Sequence, residues 1–185
     1  MKRIIFIISL IGILSSCSNN DSETEIQEFV SGEMLVGIKS GTDIKSLFEF
    51  INRFKHQVDN VNSLTFSSNL EPDNLQHVLD VLNKKTYTND GINWFVTGYL
   101  HSQTNDITVF PRLFGMENIE YQTDWLNSMN ELELTEKHNT ELNSGIIHFY
   151  VPAGKEIKWR NHFTDFDIVD WAELNYIVNI ALDTN

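Results

Sequence analysis

The stretch Glu33-Met34-Leu35-Val36-Gly37-Ile38-Lys39-Ser40-Gly41-Thr42-Asp43-Ile44-Lys45-Ser46-Leu47-Phe48 changes its hydrophobic period halfway along. Met34, Val36 and Ile38 alternate with Glu33, Leu35 and Gly37, and a period of two marks a β-strand. Ser40-Gly41 ends the alternation. Thr42 is then placed to cap a helix, with Asp43 in the first turn, where the helix dipole favours an acid. Ile44, Leu47, Phe48, Ile51, Phe54 and Val58 follow at helical spacing, while Lys45, Glu49, Asn52 and Lys55 fill the opposite face. A strand feeding an amphipathic helix in this way predicts a sheet with helices on one side.

The rest of the chain extends that unit. Residues 61–70 predict a second strand around Leu64 and Phe66. Glu71-Pro72-Asp73 predicts a helix start, with Leu75, Val78, Leu79 and Leu82 as its stripe and Lys84 and Lys85 at its end. Asn89-Asp90-Gly91 reads as a turn. Residues 92–101 and 107–114 predict two strands, the second with Pro111 at an edge or bulge. Residues 117–138 predict a helix with Trp125, Leu126, Met129 and Leu132 turned inward. Residues 146–151 predict a strand, 155–163 a short helix and 168–178 a last strand. The order is strand, helix, strand, inserted block, strand, helix, strand. It predicts an α+β, ferredoxin-like split βαβ sandwich with an antiparallel sheet and a large insertion at 86–143.

Composition bounds the function. Twelve Phe, four Trp, nine Gly and three Pro among 185 residues describe a packed domain with a real core. The formal net charge is -13. Binding to nucleic acid calls for a basic footprint, so the charge argues against it, and electrostatic docking onto anionic lipid is disfavoured too.

The N-terminus has its own pattern. Met1-Lys2-Arg3 precedes an aliphatic run from Ile4 to Leu14 broken only by Ser9 and Gly12, the form of a secretory signal peptide. The run is shorter than the ~20 residues a membrane-spanning helix needs. It ends Leu14-Ser15-Ser16-Cys17, which resembles the lipobox of bacterial lipoproteins. The resemblance implies cleavage after residue 16 and acylation of Cys17, whose thiolate takes up the lipid. An ordinary signal peptide with a chance cysteine is the alternative. Cys17 is the sole cysteine, so no disulfide within the chain competes for it. Removal of residues 1–16 takes Lys2 and Arg3 with it and moves the net charge from -13 to -15. Residues 17–30 read as a disordered acidic tether and 31–185 as a single domain. The acidic run after Cys17 also resembles the surface-export signal of lipoproteins in the Bacteroidetes group of bacteria, with a solvated linker as the other reading. The expected location is the cell envelope, lipid-anchored to the outer membrane on its periplasmic or cell-surface face.

Two segments of the domain resemble a known module. Residues Ser31 to Gly41 resemble the opening of the propeptide-like domains of subtilisin-type proteases, in which a Pro-Gly-Glu turn leads into an apolar strand and then Lys and Gly. Val151-Pro152-Ala153-Gly154 resembles the segment before the second helix of those domains. Asp167-Ile168-Val169-Asp170-Trp171-Ala172-Glu173-Leu174-Asn175-Tyr176 resembles their closing strand, with Leu174 in place of the usual Pro. The matches span roughly a third of the chain, and residues 86–143 have no counterpart. The resemblance implies a ferredoxin-like fold and a free-standing partner of a subtilisin-type protease, chaperoning or inhibiting it. The C-terminal tail would enter the protease cleft. Here that tail is Asn179, Ile180, Ala181, Leu182, Asp183, Thr184 and Asn185.

No pattern supports catalysis. Asp165, Asp167 and Asp170 lack the glycine and spacing of a calcium loop. His101, His138, His148 and His162 form no His-x-x-x-His or His-Glu-x-x-His pair, and neither a Gly-x-Ser-x-Gly elbow nor a phosphate loop occurs. His148 alternates with apolar residues and reads as packed and hydrogen-bonded. No cofactor or metal is expected, and the chain reads as a non-enzymatic protein-binding lipoprotein. A second reading is a surface component that binds glycans or peptides through Trp94, Trp125 or Trp159, provided at least two tryptophans lie exposed and coplanar in a cleft.

Overall fold

A computed structural model describes residues 28–138 and 144–177. Cys17 and the tail Asn179–Asn185 lie outside the described residues, as do the signal-peptide segment and nearly all of the tether. In chain order the elements are β1 (Phe29–Ile38), α1 (Ile44–Asn52), β2 (Val58–Asn62), β3 (Phe66–Ser68), α2 (Leu75–Asn83, entered through a 3₁₀ turn at Pro72–Asn74) and β4 (Thr97–Leu100). There follow β5 (Ile107–Phe110), β6 (Leu113–Phe114), α3 (Ile119–Glu131), β7 (Leu134–Glu136), β8 (Ile146–Tyr150), α4 (Glu156–Phe163) and β9 (Val169–Tyr176). None of the described helices is long and apolar enough to cross a membrane.

The strands form two antiparallel sheets. Sheet A has the order β6-β2-β8-β1-β9 and sheet B the order β4-β5-β3-β7. Without its short edge strand β6, sheet A is a split βαβ sheet in which β8 lies between β1 and β2, and β9 closes the other side of β1. The fold is therefore the expected α+β, ferredoxin-like sandwich. The block between β2 and β8 supplies all of sheet B, so the insertion runs over residues 63–145, wider than 86–143. β1 begins at Phe29, which pairs with Tyr176, so the first strand starts two residues ahead of Ser31.

Several expected elements divide where local geometry intervenes. The strand expected over 61–70 breaks at Ser63, whose φ of 58° turns the chain out of sheet A, and resumes as β3 in sheet B. The strand expected over 107–114 splits at Pro111-Arg112. Pro111 has no N–H to give a ladder, and there the chain crosses from β5 in sheet B to β6 at the edge of sheet A. The helix expected over 117–138 stops at Glu131. Glu133 then takes a φ of 48°, and β7 follows. Asp43, rather than Thr42, caps α1, its carboxylate accepting the Ser46 N–H at 2.8 Å. α1 ends at Asn52, and Val58 belongs to β2.

One face of sheet A carries the core. Met34, Val36, Ile38, Ile147 and Phe149 are fully buried. Phe50 of α1 and Phe163 of α4 both reach Phe149, at ring-centroid distances of 6.2 Å and 4.9 Å, so both helices lie on this face. Phe54 and Phe166 extend the aromatic cluster. Burying each such ring stabilises the fold by about 1.5–3 kcal/mol. In the insertion, Trp125 of α3 packs edge-on against Phe66 of β3 at 5.2 Å. Asn52 of α1 and Gln122 of α3 exchange side-chain hydrogen bonds of 3.0 Å and 2.8 Å, which ties the two halves together.

Candidate functional site

Side chains alternate across a strand, so the core face fixes what the other face of sheet A presents. In β8 these are Ile146, His148 and Tyr150, in β1 Glu33, Leu35 and Gly37, and in β9 Trp171, Glu173 and Asn175. The registers align them in rows, Ile146–Gly37–Trp171 and His148–Leu35–Glu173, with Tyr150 opposite Glu33. Apart from Gly37, which is buried beneath Trp171, these residues are half-buried or exposed, and α1 and α4 leave this face uncovered.

A polar network occupies the centre. His148 Nε2 lies 3.0 Å from Glu33 Oε2, and Nδ1 lies 3.3 Å from Asp59 Oδ2. Asn175 donates to the same Glu33 oxygen at 2.7 Å, and the Tyr150 hydroxyl donates to Asp59 Oδ1 at 3.2 Å. Asn60 donates to Asp59 at 2.6 Å, and Asn62 donates to Asn60 at 3.0 Å. Asp59 reaches this face because the register of β2 against β8 shifts between Val58 and Asn60. A bulge of this kind adds a residue and lets neighbouring side chains share a face. Burial, the Asp59 charge and the Asp59 hydrogen bond all push the Tyr150 phenol above its ordinary value.

The members of the network contact one another. Each carboxylate accepts from several donors, and both imidazole nitrogens face oxygens. It contains no activated nucleophile, and among the described residues no group of three His, Cys, Asp or Glu side chains is arranged to hold a metal ion. What the face offers is a fixed pattern of acceptors and donors flanked by Leu35, Ile146 and Trp171, a geometry suited to contact. The Trp171 indole covers Gly37, so that a Cβ built at Gly37 would meet it at 2.2 Å.

The described tryptophans named in the sequence form no paired platform. Trp125 is 0 % exposed. Trp159 packs edge-on against His56 at 4.2 Å, and burial holds the His56 imidazole below its ordinary value. Trp94 lies under the Arg112 guanidinium, 4.0 Å from its ring centre. Asp165, Asp167 and Asp170 are exposed at the entry to β9. His148 is packed and hydrogen-bonded, as its alternation with apolar residues suggested. Its partners Glu33 and Asp59 lie 115 and 89 residues away along the chain, and no local pattern links them. Arg112 carried no sequence signal either, since its stacking depends on the crossover between sheets.

No family model matches this chain, and no curated protein matches it.

Proposed function

We propose that this chain is a non-enzymatic, lipid-anchored envelope protein whose domain binds another protein, in the manner of the propeptide-like domains of subtilisin-type proteases. One observation carries the reading. The two segments that resemble that family, 31–41 and 167–176, are 126 positions apart between their facing ends, yet they lie side by side in sheet A, with Met34 opposite Leu174, Leu35 opposite Glu173 and Val36 opposite Ala172. Paired edge to edge, they form the half of the sheet from which the C-terminal residues leave. The uncovered face with its Glu33–His148–Asp59 network is the contact surface in this reading, and Cys17 is the membrane anchor.

The test is an inhibition assay. The full-length chain is expected to slow peptide hydrolysis by at least one subtilisin-type protease, and truncation after residue 178 is expected to abolish the effect. Absence of slowing across a panel of such proteases would sink the inhibitor reading. Replacing Cys17 by Ser is expected to move the protein out of the membrane fraction, which checks the anchor independently.

A further inference from the structure

Where the insertion meets the end of sheet A there is a cleft of about 540 Å³, walled by Asn62, Leu64, Trp94, Phe110, Arg112 and Ile146. Its size falls in the range of small-ligand sites, about 300–1,000 Å³. The end of β2 and the turn that follows it, the Phe110–Arg112 crossover, the loop before β4 and the start of β8 build it.

The charge in the cleft is unbalanced. Arg112 stacks on Trp94 at 4.0 Å, and the ion pairs among the described residues use Lys85 and His148 but not Arg112. Arg112 Nε and Trp94 Nε1 are both buried without an acceptor. A chain of net charge -13 has an abundance of carboxylates, yet no described one neutralises this guanidinium. A stacked arginine is pre-organised to take a carboxylate through charge-assisted hydrogen bonds.

The remaining walls select what is joined to that carboxylate. Leu64, Phe110 and Ile146 are apolar, and Tyr99 continues the surface by stacking on Phe110 at 5.7 Å. The Asn62 side chain is already engaged, donating to Asn60 at 3.0 Å and accepting from the Ser63 hydroxyl at 3.0 Å. Besides Arg112, Trp94 and Asn62, the polar side chains on the lining are Ser63 and Thr65, and Ser63 already donates to Asn62, so few free groups remain to match the hydroxyls of a sugar. Ser63, at the rim, holds a φ of 58°, a conformation that costs energy in a non-glycine residue and concentrates at binding sites.

We infer that this cleft binds the free C-terminal end of a peptide whose last side chain is apolar. The terminal carboxylate sits on Arg112, and the side chain lies against Leu64, Phe110 and Ile146. The inference does not depend on the protease reading, which rests on the paired 31–41 and 167–176 segments and the C-terminal tail, although Asn62 and Ile146 border both the cleft and the uncovered face.

The experiment titrates the full-length, ¹⁵N-labelled chain with acetyl-Ala-Ala-Phe as the free acid and as the C-terminal amide. The indole N–H signals are followed, with Trp94 assigned from Trp94→Phe. The free acid is expected to shift the Trp94 signal and to bind at least about tenfold more tightly than the amide, the minimum a charge-assisted contact implies. Arg112→Gln is expected to remove that preference while the other indole signals stay in place. If Arg112→Gln fails to fold, Arg112→Lys keeps the charge and is expected to retain a preference for the acid with weaker binding. Equal binding of acid and amide, shifts confined to Trp159 or Trp171, no shift with either peptide, or saturation of the Trp94 signal by a hexuronate oligosaccharide but not by the peptide would each overturn the inference.

Discussion

Gly37 and Trp171 face each other in the register of β1 and β9, and the indole fills the space a side chain at Gly37 would need. A Cβ there would lie 2.2 Å from Trp171 Cε2 and 2.3 Å from Nε1, far inside contact distance. The large aromatic covers the glycine, and its neighbours across the row are Ile146 and the backbone of β1. Gly37→Ala is therefore expected to displace the indole and to destabilise the domain by about 1–3 kcal/mol, the usual cost of overpacking. Urea denaturation gives the value. In a Trp171→Ala background the conflict is gone, so the same substitution is expected to cost nothing measurable, and the double-mutant cycle reads the contact directly.

The Glu33–His148–Asp59 arrangement gives a second expectation. Among the described residues His148 alone bridges the two carboxylates, and its side chain is 14 % exposed. His148→Ala leaves Glu33 with Asn175 and Asp59 with Tyr150 and Asn60, so each acid keeps a donor but loses its imidazole contact. The expected loss is about 1.5 kcal/mol, the low end for hydrogen bonds to charged groups, because the site is partly solvated. His148→Gln can restore one of the two contacts and is expected to recover part of the loss. If the uncovered face is the contact surface, both variants are also expected to weaken partner binding more than they weaken the fold.

How far this could be read from the chain varies with the range of the interactions. The strand-to-helix change at Ser40-Gly41 is local, and it predicted β1 and α1 because alternation and helical spacing are written in neighbouring residues. The antiparallel sandwich followed from the order of such elements. The division of 61–70 between two sheets did not follow. Ser63 is not a residue type that announces a positive φ, and both Val61 and Phe66 are buried whichever sheet they join. Pro111 was readable as an interruption, but whether it marks a bulge or a crossover depends on β2, some fifty residues earlier. The same limit applies to the sites. His148 could be read as packed because its neighbours alternate, whereas Arg112 over Trp94 is a contact between two loops and has no signature in either.

Ser63 yields a prediction of its own. A non-glycine residue in the left-handed region carries a cost of about 1–2 kcal/mol that glycine avoids, offset in part by the greater chain entropy of glycine when unfolded. Ser63→Gly is expected to raise stability by roughly 0.5 kcal/mol, with the thermal midpoint as the measure. Its hydroxyl donates to Asn62, and losing that exposed bond trims the gain. Ser63→Val, with a branched Cβ at φ 58°, is expected to destabilise instead.

Glu156 is one of the carboxyls through which low pH weakens the domain. It is buried at the start of α4, and its Oε1 accepts from Gly32 N–H at 2.7 Å, Gly154 N–H at 2.9 Å and the Ser31 hydroxyl at 3.2 Å. Its own backbone N–H, followed by those of Gly154 and Gly32, holds the carboxyl below its ordinary value. A carboxyl lowered in the folded state favours folding once it is ionised. Its contribution is thus fully present above the ordinary value of 4.5 and is lost as the pH falls from there through the lowered folded value. Glu156→Gln keeps an acceptor oxygen but cannot ionise. The gap in stability between the natural chain and Glu156→Gln is expected to be constant near neutral pH and to close below about pH 4.5, as read from urea midpoints at a series of pH values. Glu156→Ala removes the acceptor and leaves the Gly32 and Gly154 amides without a partner, at an expected cost of about 1–3 kcal/mol throughout. Gly32 lies in the first half of β1 and Gly154 precedes α4, so that loss is expected to appear first as faster hydrogen exchange at those two amides. Exchange rates that rise elsewhere and leave these two unchanged would show that Glu156 does not join the strand to the helix.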